Sequence, residues 1–230
     1  MSFWREEYHV DKLAYEEVVT GNCYRLGQFQ PEDILIDIGG HIGAFCYAAL
    51  DRGARRILTV EADGRNFAQL LKNIAVRDLK GASVETLNAA CWRSDQPPKQ
   101  ISMARFNGSD RHANTGASTV VTNQIDMDNY HVQTVSLDAL LDLIGNQRVR
   151  FLKMDCEGAE FAILYTSKKL HRIQEIAMEL HPDYEFTLEA RVPGFENSLA
   201  GMLNFLWKQG FQVESNSAVP HRPYVYARRL

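Results

Sequence analysis

The run Ile34-Leu35-Ile36-Asp37-Ile38 leads straight into Gly39-Gly40-His41-Ile42-Gly43, and a second apolar run, Ile57-Leu58-Thr59-Val60, ends on Glu61. The first run is apolar at nearly every position, which is the pattern of a strand buried on both faces. A glycine turn after such a strand lets the backbone of an open α/β sheet close on a ligand at the carboxyl edge. An acid at the end of the next strand is placed to accept the hydroxyls of a ribose. Together these segments predict a doubly wound, mostly parallel sheet that holds an adenosine.

The turn also discriminates between adenosines. A dinucleotide fingerprint starting at Gly39 needs a second glycine at position 41, where the backbone approaches a pyrophosphate. That position holds His41, so a nicotinamide-dependent oxidoreductase becomes the alternative reading. The spacing Asp37, Gly39, Gly43 suits S-adenosylmethionine, which has no phosphate and carries a cationic sulfonium. Asp37 is expected to face the cationic methionine portion, directly or through water. Glycines that serve only close helix–strand packing are the other option, but Glu61 falls where the binding reading needs it.

Composition narrows the class further. The 230 residues suffice for one large domain, and no Ser/Gly-rich or Pro-rich linker divides them. The expected organisation is one domain over 1–230, with a capping segment at 1–30 and an insertion at 91–136. Net charge is −4, from 29 acids and 25 bases, which gives no reason to expect nucleic acid. The basic pairs Arg55-Arg56, Lys168-Lys169 and Arg228-Arg229 are too short to change that. Cys23, Cys46, Cys91 and Cys156 show neither CxxC nor knuckle spacing and suit a reducing compartment. The acidic N-terminus lacks the apolar core of a signal peptide, and no apolar run is long enough to span a bilayer. A cytoplasmic chain without a membrane partner is expected. Oligomeric state stays open.

Along the chain, a short helix is predicted from Asp11 to Val19, among several aromatics; it either caps the ligand pocket or covers the sheet. Strands are predicted at 34–38, 57–60, 84–88, 149–154 and 176–180. Helices alternate with them, one from Ile42 to Asp51, one capped by Asp63, one capped by Ser136, one from Ala159 to Lys169, and one starting at Asn197 or Ser198 and closed by Gly210. The helix after Asp63 presents Phe67, Leu70, Leu71 and Ile74 at helical spacing. The alternation breaks over 91–136, where β-like runs at 100–103, 118–122 and 132–135 suggest an inserted hairpin or small antiparallel extension. Two last strands, 211–214 and 224–227, suggest an antiparallel hairpin added to the sheet.

A second segment carries chemistry. Phe151-Leu152-Lys153-Met154 delivers Asp155 and Glu157 to a strand end, and Ile176-Ala177-Met178 delivers Glu179 and His181 to the next. Asp37, Glu61 and these four groups are expected to line one rim, because ligands bind at that edge.

The motifs Ile36-Asp37-Ile38-Gly39-Gly40-His41-Ile42-Gly43, Thr59-Val60-Glu61-Ala62, Thr134-Val135-Ser136-Leu137-Asp138 and Leu152-Lys153-Met154-Asp155-Cys156-Glu157-Gly158-Ala159-Glu160 follow one another in an order that resembles the FkbM family of methyltransferases. The resemblance runs from about residue 24 to 182, and the last motif is its most distinctive part. It implies a Rossmann-like class I fold with seven strands, S-adenosylmethionine as cofactor, and O-methylation of a small-molecule natural product or sugar. It also implies that Asp37, Gly39, Gly40 and Gly43 form the methionine-side turn and that Glu61 and the following Ala62 hold the ribose side. Asn88-Ala89-Ala90 would border the adenine through the backbone. Where the family more often has asparagine, this chain has His41, whose role is left open.

A hydroxyl acceptor needs a base, since it is a weak nucleophile at neutral pH. Asp155 is the first candidate, His181 and Glu179 the second; Asp155 binding the cofactor ammonium is the alternative. Glu157 is expected on the substrate side. From the insertion, Asn114 to Thr119 includes Ser118, expected to touch the acceptor; a plain turn before a strand is the other reading. Asp155, Glu157, Glu179 and His181 are also ligand types for a divalent ion that would ionise a diol. No metal site is assigned. His112 and His131 are expected at the surface.

Overall fold

The computed structural model describes residues 3–6, 8–106, 127–182, 190–216 and 222–230. The segment from Asn114 to Thr119, with Ser118, and the run at 118–122 lie outside the described residues, as does His112.

Seven strands form the main sheet: β1 (Ile34–Ile38), β2 (Arg56–Glu61), β3 (Ser83–Asn88), β7 (Val149–Met154), β8 (Ile173–Glu179), β9 (Phe211–Asn216) and β10 (Tyr224–Arg229). Their order is β3-β2-β1-β7-β8-β10-β9, parallel except for β10, which runs antiparallel to both β8 and β9. This is a doubly wound, mostly parallel α/β sheet, with the expected antiparallel C-terminal hairpin. The chain leaves the centre in one direction through β1, β2 and β3 and returns to it at β7. The carboxyl ends of β1 and β7 thus meet at the topological switch point, where such sheets bind ligands.

Side chains alternate between the two faces of each strand, and the core divides accordingly. Leu35, Ile57, Phe151 and Ala177 pack on one face with Phe45, Ala48 and Ala49 of α2 (Ala44–Asp51). Ile36, Leu58, Leu152, Ile176 and Val225 pack on the other, against helices α4 (Leu137–Leu143), α5 (Glu160–Thr166) and α6 (Leu199–Lys208). Expected caps are in place: Asp63 accepts from Arg65 N, Ser136 from Ala139 N and Ser198 from Gly201 N.

Local differences from the sequence reading fall in the helices. The first helix is α1 (His9–Tyr15) and continues as a π-helical turn, Glu16–Thr20, instead of one regular helix. The helix expected from Ala159 to Lys169 ends at Thr166, whose hydroxyl donates to Ala162 O, and a 3₁₀ turn Leu170–Arg172 follows. On α3 (Gly64–Ala75) the buried positions are Asn66, Leu70 and Asn73, while Leu71 is exposed. The asparagines face inward because the main chain of Phe3 and the side chain of Arg5 dock there.

The stretch after β3 builds a second, three-stranded sheet of β4 (Ala90–Trp92), β6 (Met127–Ser136) and β5 (Gln100–Phe106). β5 and β6 are the antiparallel pair that was expected, and β4 runs parallel to β6. Among the described residues no helix is long and apolar enough to cross a membrane.

Candidate active site

Register explains why polar side chains gather at the switch point. Asp37 on β1 is aligned with Thr59 on β2 and with Lys153 on β7. The three form a polar row one residue from the sheet edge. Thr59 Oγ1 donates to Asp37 Oδ2 at 2.9 Å, and Lys153 Nζ is 3.3 Å from Asp37 Oδ1. Lys153 also donates to Gly39 O at 2.6 Å. Burial opposes the lysine charge, but Asp37 and Asp155 outweigh it and hold the ammonium above its ordinary value.

The glycine turn wraps around the end of β2. Gly39 N and Gly40 N both donate to Val60 O, at 2.9 and 3.0 Å, and His41 N donates to Glu61 Oε2 at 2.8 Å. Three consecutive N–H groups of the turn are therefore engaged by Val60 and Glu61 and do not present themselves to a pyrophosphate. Gly39 has φ +82°, and a Cβ there would lie 1.7 Å from Asp155 O, so the backbones of β1 and β7 touch at this point. At Gly40 a Cβ would lie 2.3 Å from Thr59 Oγ1.

Glu61 is held on both oxygens, by His41 N and by Asp63 N at 2.7 Å. Burial pushes its carboxyl up to about 7, against the pull of those two amides. Asn88 Nδ2 donates to Glu61 O and to Ala62 O.

A cavity of about 420 Å³ opens here, the size of a small-ligand site. Of the residues singled out from sequence, Gly39, Gly40, His41, Glu61, Ala62, Ala89, Asp155, Glu157 and Glu179 line it. Four others take different places. Asp37 is fully buried under the turn, so the surface expected to meet a cationic ligand is turned to Lys153 and Thr59 instead. Gly43 caps α2, and Asn88 braces the end of β2. His181 is buried behind the wall. His131 is exposed, as expected.

The opposite end of the cavity is acidic. His181 Nδ1 lies 3.1 Å from Glu160 Oε1, and its Nε2 lies 3.5 Å from Glu157 Oε2 and 3.6 Å from Glu179 Oε1. Burial opposes the imidazolium, but Glu160, Glu157 and Asp155 outweigh it and raise it to about 10. Glu160 also accepts from Cys156 N and Gly158 N, which fixes the loop after β7. Glu179 is pushed up to about 8, first by burial and then by Asp155. Asp155 stays below the usual carboxylate range: burial opposes this, but Lys153, His181 and the Tyr24 hydroxyl favour its charge. Asp155, Glu157 and His181 approach each other closely enough to share an ion, with ligand atoms within 4.8 Å.

Sequence reasoning missed several contributors. Tyr24 donates to Asp155 Oδ2 at 2.9 Å from far away in the chain, with no local signal. Glu17 comes from the π turn and Arg222 from the bend just before the last strand. Lys153 had a signal, since a lysine inside a buried strand requires a partner.

The description of one family model, a methyltransferase FkbM domain, matches residues 37–213. Methyltransferase 1 of Beauveria bassiana (strain ARSEF 2860) is 23% identical over 165 residues, covering 66% of this chain and 66% of that protein. The crystal structure of methyltransferase FkbM from Methylobacillus flagellatus KT superposes with a TM-score of 0.52 at 15% identity. That superposition covers 88% of this chain and 45% of the other, so it concerns the fold alone. The family match spans the glycine turn, Glu61 and both acidic strand ends, and on it the chain belongs to the FkbM methyltransferase domain family.

Proposed function

We propose that the protein is an S-adenosylmethionine-dependent O-methyltransferase acting on a hydroxyl of a small-molecule natural product or sugar. One observation carries this reading: a single cavity has Glu61 beside a glycine turn at one end and Glu179 and Asp155 at the other. The residues fit the cofactor. Glu61 keeps lone pairs beyond its two backbone bonds and can accept ribose hydroxyls. Ala62, Ala89 and Ala90 offer a small apolar wall for an adenine. The inward-turned amides of Gly39, Gly40 and His41 argue against the dinucleotide alternative.

Bound there, S-adenosylmethionine supplies a methyl carbon already activated by a sulfonium. The protein's tasks are to align an acceptor oxygen and to take its proton. Glu179 suits the second task, because its basicity lies near neutral pH. Asp155 is the weaker base; tied to Tyr24, it is suited to orienting the acceptor or holding the cofactor ammonium. His181 faces three carboxylates and positions them without reaching the cavity. Glu17, Asp155 and Glu157 line this end beside the cations Lys153 and Arg222, so it is not a basic surface for a phosphate backbone, which favours a small hydroxylated acceptor over nucleic acid. The chemistry runs without a metal in this reading.

The test is methyl transfer from labelled S-adenosylmethionine to a panel of sugars, alcohols and amines, with the product bond identified by NMR. Transfer to oxygen is expected; transfer only to nitrogen, or to no acceptor, would overturn the proposal.

A further inference from the structure

One wall of the cavity comes from the N-terminal segment, through Val10, Leu13 and Ala14 of α1 and Glu17 and Val18 of the π turn. Yet α1 buries little apolar side chain. Its only fully buried residue is an aspartate, Asp11, and Leu13 is 47% exposed. Segments with few buried apolar contacts open at low free-energy cost. Aromatic packing of Tyr15 on Phe3, Trp4 and Tyr47 holds its C-terminal end, and polar contacts hold the rest. Asp11 accepts from Arg5 Nε at 2.7 Å and from a second Arg5 guanidinium nitrogen at 2.8 Å, and Arg5 reaches Asn66 Oδ1 at 2.8 Å. Phe3 O accepts from Asn73 Nδ2 at 2.8 Å. A further contact goes to the glycine turn itself: His41 Nε2 lies 3.4 Å from Asp11 Oδ1.

His41 therefore has two partners on opposite sides. Its N–H holds Glu61, and its ring meets the buried Asp11 of the segment that covers the cavity. We propose that residues 3–6 and 8–20 form a cover over the cofactor, and that Asp11 and His41 are positioning residues that latch this cover to the glycine turn, so that cofactor exchange requires the latch to part. The inference rests on the S-adenosylmethionine reading of the cavity. By linkage, a cofactor that prefers the closed cover is retained by the latch, and the latch is strengthened by the cofactor.

Two substitutions on opposite sides break the contact; Asp11→Asn also weakens the Arg5 pair, and His41→Gly does not. His41→Gly keeps the N–H to Glu61 and suits the positive φ of 48° at this position. Asp11→Asn lies on the cover. Stopped-flow release of S-adenosylhomocysteine should be about tenfold faster in each, the loss of one charge-assisted contact. The double variant should release no faster than the faster single one, because both remove the same contact. Release within twofold of wild type in either single variant, or fully additive effects, overturns the latch. If wild-type protein binds no S-adenosylhomocysteine, the cofactor reading fails, and hydrogen exchange then decides the latch separately. Faster exchange of amides 9–20 in His41→Gly upholds it; unchanged exchange overturns it.

Discussion

At the glycine end of the cavity the main chain makes most of the polar contacts. Gly39, Gly40 and His41 donate amides to Val60 and Glu61, and Asp63 donates another to Glu61. At the acidic end the contacts are between ionisable side chains: Glu157, Glu160 and Glu179 around His181, and Tyr24 on Asp155. A backbone-built end is set by chain geometry and tolerates little steric change. A side-chain-built end is set by charge balance, so it responds to pH and to single substitutions while the fold survives. The first suits an invariant ligand, and the second suits a reaction in which a proton moves.

The largest expected effect strikes the backbone end. Gly39→Ala places a Cβ 1.7 Å from Asp155 O in a residue at φ +82°, and should cost more than about 3 kcal/mol. Soluble protein with a melting temperature near that of wild type would show that the turn is looser than described. Next, Glu179→Gln should lower turnover roughly 10²–10⁴-fold while leaving S-adenosylhomocysteine affinity within about threefold. The wild-type kcat/KM should climb as pH rises through about 8, since only ionised Glu179 accepts a proton, and the variant should lose that limb. Unchanged turnover would remove Glu179 from the reaction.

His181→Ala leaves buried carboxylates facing one another and should cost roughly 3–5 kcal/mol at pH 6, read by urea unfolding. The pH sign follows from the raised folded value of about 10. The stabilisation is fully present below the unfolded value of about 6.5 and is lost as pH rises through the folded value. A variant as stable as wild type at pH 6 would contradict the charge-balance view. Smallest of all, Asp63→Ala removes the side-chain cap of α3 but keeps the backbone N–H that holds Glu61, at about 1 kcal/mol in thermal unfolding. A loss of several kcal/mol would mean that the backbone end depends on side chains after all.

The same contrast explains what could be read from sequence. β1, the turn and Glu61 lie within 28 residues (34 to 61), so apolar runs and glycines place them without tertiary knowledge. Strand ends likewise gave Asp155, Glu157 and Glu179. His181 was read as a rim group because alternation along a strand does not continue into the loop beyond it; two residues past Glu179 the chain turns inward. The sequence places Asp37 toward the ligand, because its lysine partner is set beside it only by the register of β1 and β7. Tyr24, Glu17 and Arg222 are brought in by the N-terminal segment and the last hairpin, whose docking no local pattern encodes. Inward asparagines on α3 broke the apolar spacing for the same reason.

The central claim concerns the ribose carboxylate. Burial raises Glu61 to about 7, and hydroxyl donors favour its ionised form, so cofactor affinity should increase as pH rises through that value. Isothermal titration of S-adenosylhomocysteine into wild type and Glu61→Ala at pH 8 tests this directly. The account predicts one-to-one binding by wild type and about 100-fold weaker binding by the variant, the loss of charge-assisted hydrogen bonds to two hydroxyls. No binding by folded wild type, or equal affinity in the two proteins, would contradict it.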